Sequence, residues 1–196
     1  MATPKAGSEW QSEVFTDEDL TESDLRGAQF EGCEFVDCKF TDADLSDAQF
    51  DDCTWLRCEM SNCNVANTRF RGASFVESRV RGVQWSSCYR FALEFKFTDC
   101  NLSYSSFFGL HLRGIEITGS CLREVDFGEC SLIGAKFTGS DLGGAIFHRT
   151  DLTRADMSSA QSIALDLNNN KVKGLRISLG GAVGLLDALG VEVVFD

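Results

Sequence analysis

In the stretch Gly27–Phe50, GAQFEGCEFVDCKFTDADLSDAQF, a bulky apolar residue returns at Phe30, Phe35, Phe40, Leu45 and Phe50. A period of five suits neither a helix, which asks for 3.6, nor a strand, which asks for 2. The beat runs far beyond this stretch: fifteen consecutive multiples of five, from Phe15 to Trp85, are all apolar. With 43% of the chain apolar, chance gives such a run roughly three times in a million. Two residues before each centre the side chain is usually small, as at Ala28, Cys33, Cys38, Ala43, Ala48, Cys53, Cys58 and Cys63. The other three positions are mostly polar or glycine.

One large and one small inward position in every five suit a chain that turns a corner at each repeat. Four repeats then close a square coil of 20 residues, and successive coils stack at about 4.8 Å, the spacing of paired backbones. The centres stack into ladders inside, for example Phe15, Phe35, Trp55 and Phe75. Backbone groups pair between coils, because turns this short cannot satisfy them internally. The reading is an all-β solenoid, a quadrilateral β-helix. After an N-terminal segment, 1–12, the first half spans 13–85. Position 90 then breaks the frame, and the beat resumes at Phe97 after two extra residues, so 86–96 is read as a bulge or loop. A second half spans 97–177. The tail 178–196 reads as a capping and dimerisation module. Ser178 is its N-cap, Leu179, Val183 and Leu186 fall at helical spacing, Gly190 stands past the end, and a strand follows over 191–195. A solenoid needs such a cap because its last coil exposes core and unpaired backbone.

The charge is strongly uneven. Residues 1–60 hold 16 acids and 4 bases, a net of −12, and the remainder is neutral. That disfavours direct nucleic-acid binding through phosphates and favours either a basic partner or a solubilising acidic end. MATPKAGSEW carries no signal-peptide pattern and no segment approaches a membrane span, so a cytoplasmic chain without membrane association is expected. In that compartment the nine cysteines are read as thiols filling the core, since a free Cys behaves as a compact apolar residue. Their steps of five do not match zinc-ligand spacing. The only histidines, His111 and His148, lie in different repeats, and no nucleophile elbow or phosphate loop appears. No catalytic residue, metal or cofactor is therefore expected.

The runs SDLRGAQFEGCEF, TDADLSDAQF, AKFTGSDLGGAIF and TDLTRADM resemble pentapeptide-repeat proteins, across about residues 13 to 177. The resemblance implies a right-handed coil. The chain length, the mid-chain break, SSFFGLHLRGIEI and the tail SLGGAVGLLDALGVEVVFD further resemble the topoisomerase-protecting branch: the Qnr and MfpA quinolone-resistance proteins and especially the albicidin-resistance and microcin B17 immunity proteins. That branch implies a homodimer joined at its tails, shaped and charged like duplex DNA, which binds DNA gyrase or topoisomerase IV and relieves a poison. This sequence departs from the branch in carrying its acids in the N-terminal coils rather than near the tail.

Two candidate partner-binding sets follow. Asp37, Asp42, Asp47, Asp51 and Asp52 fall on outward positions. The 20-residue coil lays Asp51 over Glu31 and Asp37 over Asp17, and the repulsion of these like charges is either tolerated at a solvated surface or relieved when a basic partner arrives. In the break, Tyr89, Arg90 and Phe91 make a recognition loop, or else the break only re-aims the rod. The candidate dimer interface is Leu185, Leu186, Leu189, Val191, Val193 and Phe195.

Overall fold

The computed structural model describes residues 3–91 and 93–194. In its first half, short strands alternate between two faces: β1 (Glu9–Gln11), β2 (Val14–Thr16), β3 (Gln29–Glu31), β4 (Glu34–Val36), β5 (Gln49–Asp51), β6 (Thr54–Leu56), β7 (Arg69–Arg71) and β8 (Ala73–Val76). Beyond the break come β9 (Phe95–Thr98), β10 (Glu116–Thr118), β11 (Asp156–Met157), β12 (Arg176–Ile177) and one helix, α1 (Leu179–Ala188). All pairing is parallel. One sheet has the order β1-β3-β5-β7, another β2-β4-β6-β8-β9-β10, and β11 pairs with β12. The stack makes about eight turns.

The register is the expected 20 residues: Phe30 pairs with Phe50 and Phe50 with Phe70. Centres turn inward and stack. Ring centroids lie 4.9 Å apart for Phe30–Phe50 and 5.3 Å for Phe50–Phe70, with the rings nearly parallel. Adjacent ladders meet edge to face, as Phe30 meets Phe35 at 5.3 Å and 70°. Aromatic pairs prefer both of these geometries. The small position two before a centre is mostly buried, and at several Cys, Ser and Thr residues it does more than fill space. Its thiol or hydroxyl donates to the carbonyl of a centre in the preceding coil: Cys63 to Phe40 at 2.8 Å, Thr68 to Leu45 at 2.7 Å, Cys130 to Phe107 at 2.8 Å.

The corners explain a second regularity. Two residues after most centres the backbone enters the left-handed region, with φ of 55° at Asp37, 56° at Asp42, 60° at Asp47 and 52° at Asp52. Gly, Asn and Asp are favoured in this conformation, although Arg57, Glu77 and Tyr104 adopt it at other corners. One residue before many centres an Asp or Asn accepts the N–H two residues on, as Asp44 does from Ser46 at 3.0 Å. That side-chain turn begins the next corner.

The stack begins before Glu13, because β1 pairs with β3 through Trp10 and Phe30. It also continues unbroken through the frame slip. Phe75 pairs with Phe97, a step of 22, and Phe97 with Ile117, again 20. The two extra residues are absorbed by a 3₁₀ turn at Trp85–Ser87 and the segment after it, whose ends stay tied to the coil below: Tyr89 N–H donates to Thr68 O at 3.0 Å, and Ala73 N–H to Glu94 O at 3.0 Å. The break is thus a bulge in a continuous ladder, with Tyr89, Arg90 and Phe91 left exposed on its crest.

The tail differs from expectation in two ways. Ser178 does cap α1, accepting the Gly181 N–H at 3.0 Å, and Gly190 ends it at φ 75°. The stripe Leu179–Val183–Leu186 does not face the rod, however. Leu179 is 77% exposed, and the buried residue is Leu185, at 4%. The strand expected over 191–195 is not formed across Val191–Val194. Val191 N–H instead closes the helix end on Leu186 O at 3.0 Å, and among the described residues no neighbouring strand offers the ladder an isolated segment needs. Phe195 lies outside the described residues.

Candidate partner-binding site

The five candidate acids do not form one patch. Asp37, Asp42, Asp47 and Asp52 occupy successive corners of a single coil, so they ring the rod, while Asp51 lies on the face between the last of these corners and its neighbour. The predicted stacking of like charges is present, with Asp51 directly over Glu31. The next coil supplies the cation. Arg71 follows Asp51 in register, with its Nε 3.3 Å from Asp51 Oδ1. Arg57 stands over Asp37 and donates to both carboxylate oxygens at 2.8 and 2.7 Å. That bidentate hydrogen bond holds the Asp37 carboxyl below its ordinary range and raises Arg57. Asp47 accepts from Asn67 Nδ2 at 3.0 Å. Part of the repulsion is therefore already relieved within the chain.

One predicted acid and two predicted loop residues do come together. Asp51, Tyr89 and Phe91 line a cavity of 190 Å³ with Arg69 and Arg71. The Arg69 guanidinium lies over the Tyr89 ring, 5.4 Å from its centroid, and Tyr89 and Phe91 stand 5.6 Å apart. Asp51 also borders a 350 Å³ groove along the same face, lined by Glu9, Trp10, Gln29 and Glu31 among others. Asp51 Oδ1 is shielded from water, and although Arg71 is within ion-pair distance, no donor is aligned on it. Arg90 is exposed but does not line the cavity. Arg69 and Arg71 were not singled out from the sequence. The signal was available, because they flank the inward Phe70 and lie one coil before the break.

At the other end, Leu186, Leu189 and Val191 are exposed and Val193 is half-buried. Leu185, counted among the interface candidates, is spent inside the chain. With Leu189 it borders a 440 Å³ cavity between α1 and Ile163–Asp166. Eight of the nine cysteines are buried and all are free thiols, and burial pushes Cys53 and Cys63 up to about 12 and Cys100 to about 11. Among the described residues no group of three or more His, Cys, Asp or Glu is placed to hold a metal ion, and no helix is long and apolar enough to cross a membrane.

A rod of stacked five-residue corners, carrying its polar features on the outside, is an all-β solenoid. Family models for the pentapeptide repeat region match residues 23–96 and for pentapeptide repeats residues 130–161, and the chain belongs to the pentapeptide-repeat proteins. No curated protein sequence matches it. Among solved structures, a trypsin-treated variant of QnrB1, a plasmid-mediated fluoroquinolone resistance protein, is similar at 18% identity and a TM-score of 0.65, covering 95% of this chain and all of that one. A second QnrB1 variant matches at 23% identity and 0.60, covering 96% and 91%. HetL, involved in heterocyst differentiation regulation in the cyanobacterium Nostoc sp. strain PCC 7120, matches at 18% and 0.53, covering 86% of each chain. At these identities the likeness is one of fold.

Proposed function

We propose that this protein is a duplex-DNA mimic that binds DNA gyrase or topoisomerase IV and protects it from a poison, conferring resistance or self-immunity. The observation that carries the reading is charge density on a rod. Residues 1–60 hold a net −12. The described residues of this stretch, 3–60, form about three coils, about 14 Å at the 4.8 Å spacing of paired backbones. That is one charge per roughly 1.2 Å of axis, against one per about 1.7 Å for duplex DNA. The corner positions of Asp37, Asp42, Asp47 and Asp52 spread this charge around the axis, as a duplex spreads its phosphates. Fold similarity to QnrB1 over nearly the whole chain adds support. On this reading the protein works by occupying the enzyme's DNA-binding surface and destabilising the poisoned complex, and it has no reaction of its own.

The test is gyrase supercoiling titrated with a quinolone and with peptide-like poisons, with and without the protein. Protection that weakens as salt rises is expected, because surface attraction is screened over about 8–10 Å near physiological ionic strength. Reversing Asp42, Asp47, Asp51 and Asp52 to Lys should abolish protection while circular dichroism stays unchanged. Full protection by the folded reversed rod would remove DNA mimicry by this end. The second reading is an interaction scaffold without a topoisomerase partner, favoured by the fold likeness to HetL. Absence of protection by the wild type against every poison would select it.

A further inference from the structure

The waist of the rod reverses the sign of its N-terminal coils. Residues 61–114 hold seven bases against three acids, a net of +4. Two of those bases, Arg69 and Arg71, flank Phe70 on β7, the last strand of the four-stranded sheet, on the face where the bulge projects. Arg69 is held by two weak contacts, the Tyr89 ring at 5.4 Å and Gln49 Oε1 at 3.3 Å, and has no ion pair among the described residues. Arg71 pairs with Asp51 at 3.3 Å, so the pocket lining holds two guanidinium groups and one carboxylate. Phe91, 74% exposed, and Tyr89 form an aromatic wall beside them.

We propose that this pocket is a docking point for an acidic side chain of a protein partner, a Glu or Asp with an apolar neighbour. Three observations select that occupant. The cradle carries one uncompensated positive charge, and guanidinium groups match a carboxylate in a forked, bidentate geometry. The cavity, 190 Å³, is smaller than the roughly 300–1,000 Å³ of small-molecule sites and suits one inserted side chain. Exposed Tyr and Arg with an aromatic neighbour are the residues that dominate interface energetics once covered. A nucleic acid fits less well, because a polyanion lying along this face meets Glu9, Glu31 and Asp51 in the coils below. A single side chain entering from a protein avoids them. The proposal holds whichever protein supplies the carboxylate, a topoisomerase or another.

The experiment uses the full chain and follows the arginine Nε–H signals by NMR during titration with N-acetyl-Phe-Glu-amide. The Gln analogue of that dipeptide and a short oligothymidylate serve as comparisons, and Arg69→Lys and Arg71→Lys assign the signals. The Arg69 and Arg71 signals should shift saturably with the Glu dipeptide. The Gln analogue should bind about tenfold more weakly, the worth of a charged hydrogen bond. Tyr89→Ala should weaken the Glu dipeptide to a similar degree, with circular dichroism unchanged. Shifts at Arg69 and Arg71 no larger than those at Arg123 and Arg154 overturn the proposal. Saturation at lower concentration by the oligothymidylate than by the dipeptide also overturns it, and makes the pocket a phosphate site.

Discussion

Asp42 shows what a single outward residue does in this fold. From the sequence it reads as a negative charge facing a partner, and its side chain is indeed exposed. Its φ of 56° adds a second reason for an Asp there. A five-residue period tells which side chains face out, but it is silent on which of them must sit in the left-handed region, so the corner role of Asp37, Asp42, Asp47 and Asp52 was not legible. Asp42→Val should destabilise the rod by about 1–2 kcal/mol, because a β-branched residue is strained at that φ. Asp42→Gly should fall within about 1 kcal/mol of wild type. Urea midpoints measure both, and equal loss in the two variants would refute the corner role. The cysteines were legible as core fillers, but not as donors to the carbonyls of the preceding coil, which depends on stacking. Their burial makes a pH prediction. Cys53 and Cys63 have pKa values raised to about 12 in the folded chain, above the ordinary thiol value of 9.0. Below that ordinary value folded and unfolded thiols are both protonated and the full stability is present. Above it the unfolded chain loses protons first, so stability should fall by about 1.4 kcal/mol per pH unit per thiol until the folded value is reached. Urea midpoints between pH 8 and 11 should drop steeply, and less steeply for Cys53→Ala with Cys63→Ala. A flat profile in the wild type would contradict the burial.

At the scale of elements, the coil was readable because every fifth residue had to be large. Phe50 is fully buried between Phe30 and Phe70, with nearly parallel rings on both sides. Phe50→Ala should therefore cost about 3–5 kcal/mol, transfer and cavity together. Its neighbour Gln49 offers the sheet only a 3.3 Å hydrogen bond from Arg69, and Gln49→Ala should stay within about 0.5 kcal/mol. Matching denaturation midpoints for the two would invert the assignment of inward and outward faces. The two extra residues are legible because Trp85 and Phe97 mark the ends of the slip, and the ladder steps by 22 from Phe75 to Phe97. The cavity it closes on the coil below was not foreseen, since that needs Arg69 and Arg71 to be carried through a register of 20 and seen against a bulge. The helix was legible from its cap and its glycine stop. Its buried side was not, because Leu179–Val183–Leu186 and Leu185–Leu189 are comparable apolar edges and only the seat on the last coil decides between them.

At the scale of the whole molecule, the rod has an acidic end, a basic waist and an apolar tail, and the proposed assembly rests on the tail. Burying Leu185 caps the last coil within one chain, yet Leu186, Leu189 and Val191 remain uncovered beside it. Exposed apolar residues grouped on one element mark an association surface more often than singly scattered ones do. The proposed two-fold contact would bring each tail against its copy, placing the two acidic ends at the far tips and both waists between. Two substitutions one residue apart separate capping from pairing. Leu186→Asp places a carboxylate at the proposed contact but on the surface of the single chain. It should convert a dimer to a folded monomer, with the thermal transition of the rod little changed apart from the loss of coupling to dimerisation. Leu185→Asp places the same group at a buried site, and an unpaired buried charge is strongly unfavourable. It should unseat α1, reduce helical dichroism and expose the last coil, and with the helix displaced it should also lose the dimer. Light scattering at micromolar concentration, read beside far-ultraviolet dichroism, distinguishes the cases. A wild type that is monomeric at that concentration ends the tail-to-tail assembly, and a Leu186→Asp variant that stays dimeric moves the contact elsewhere on the rod.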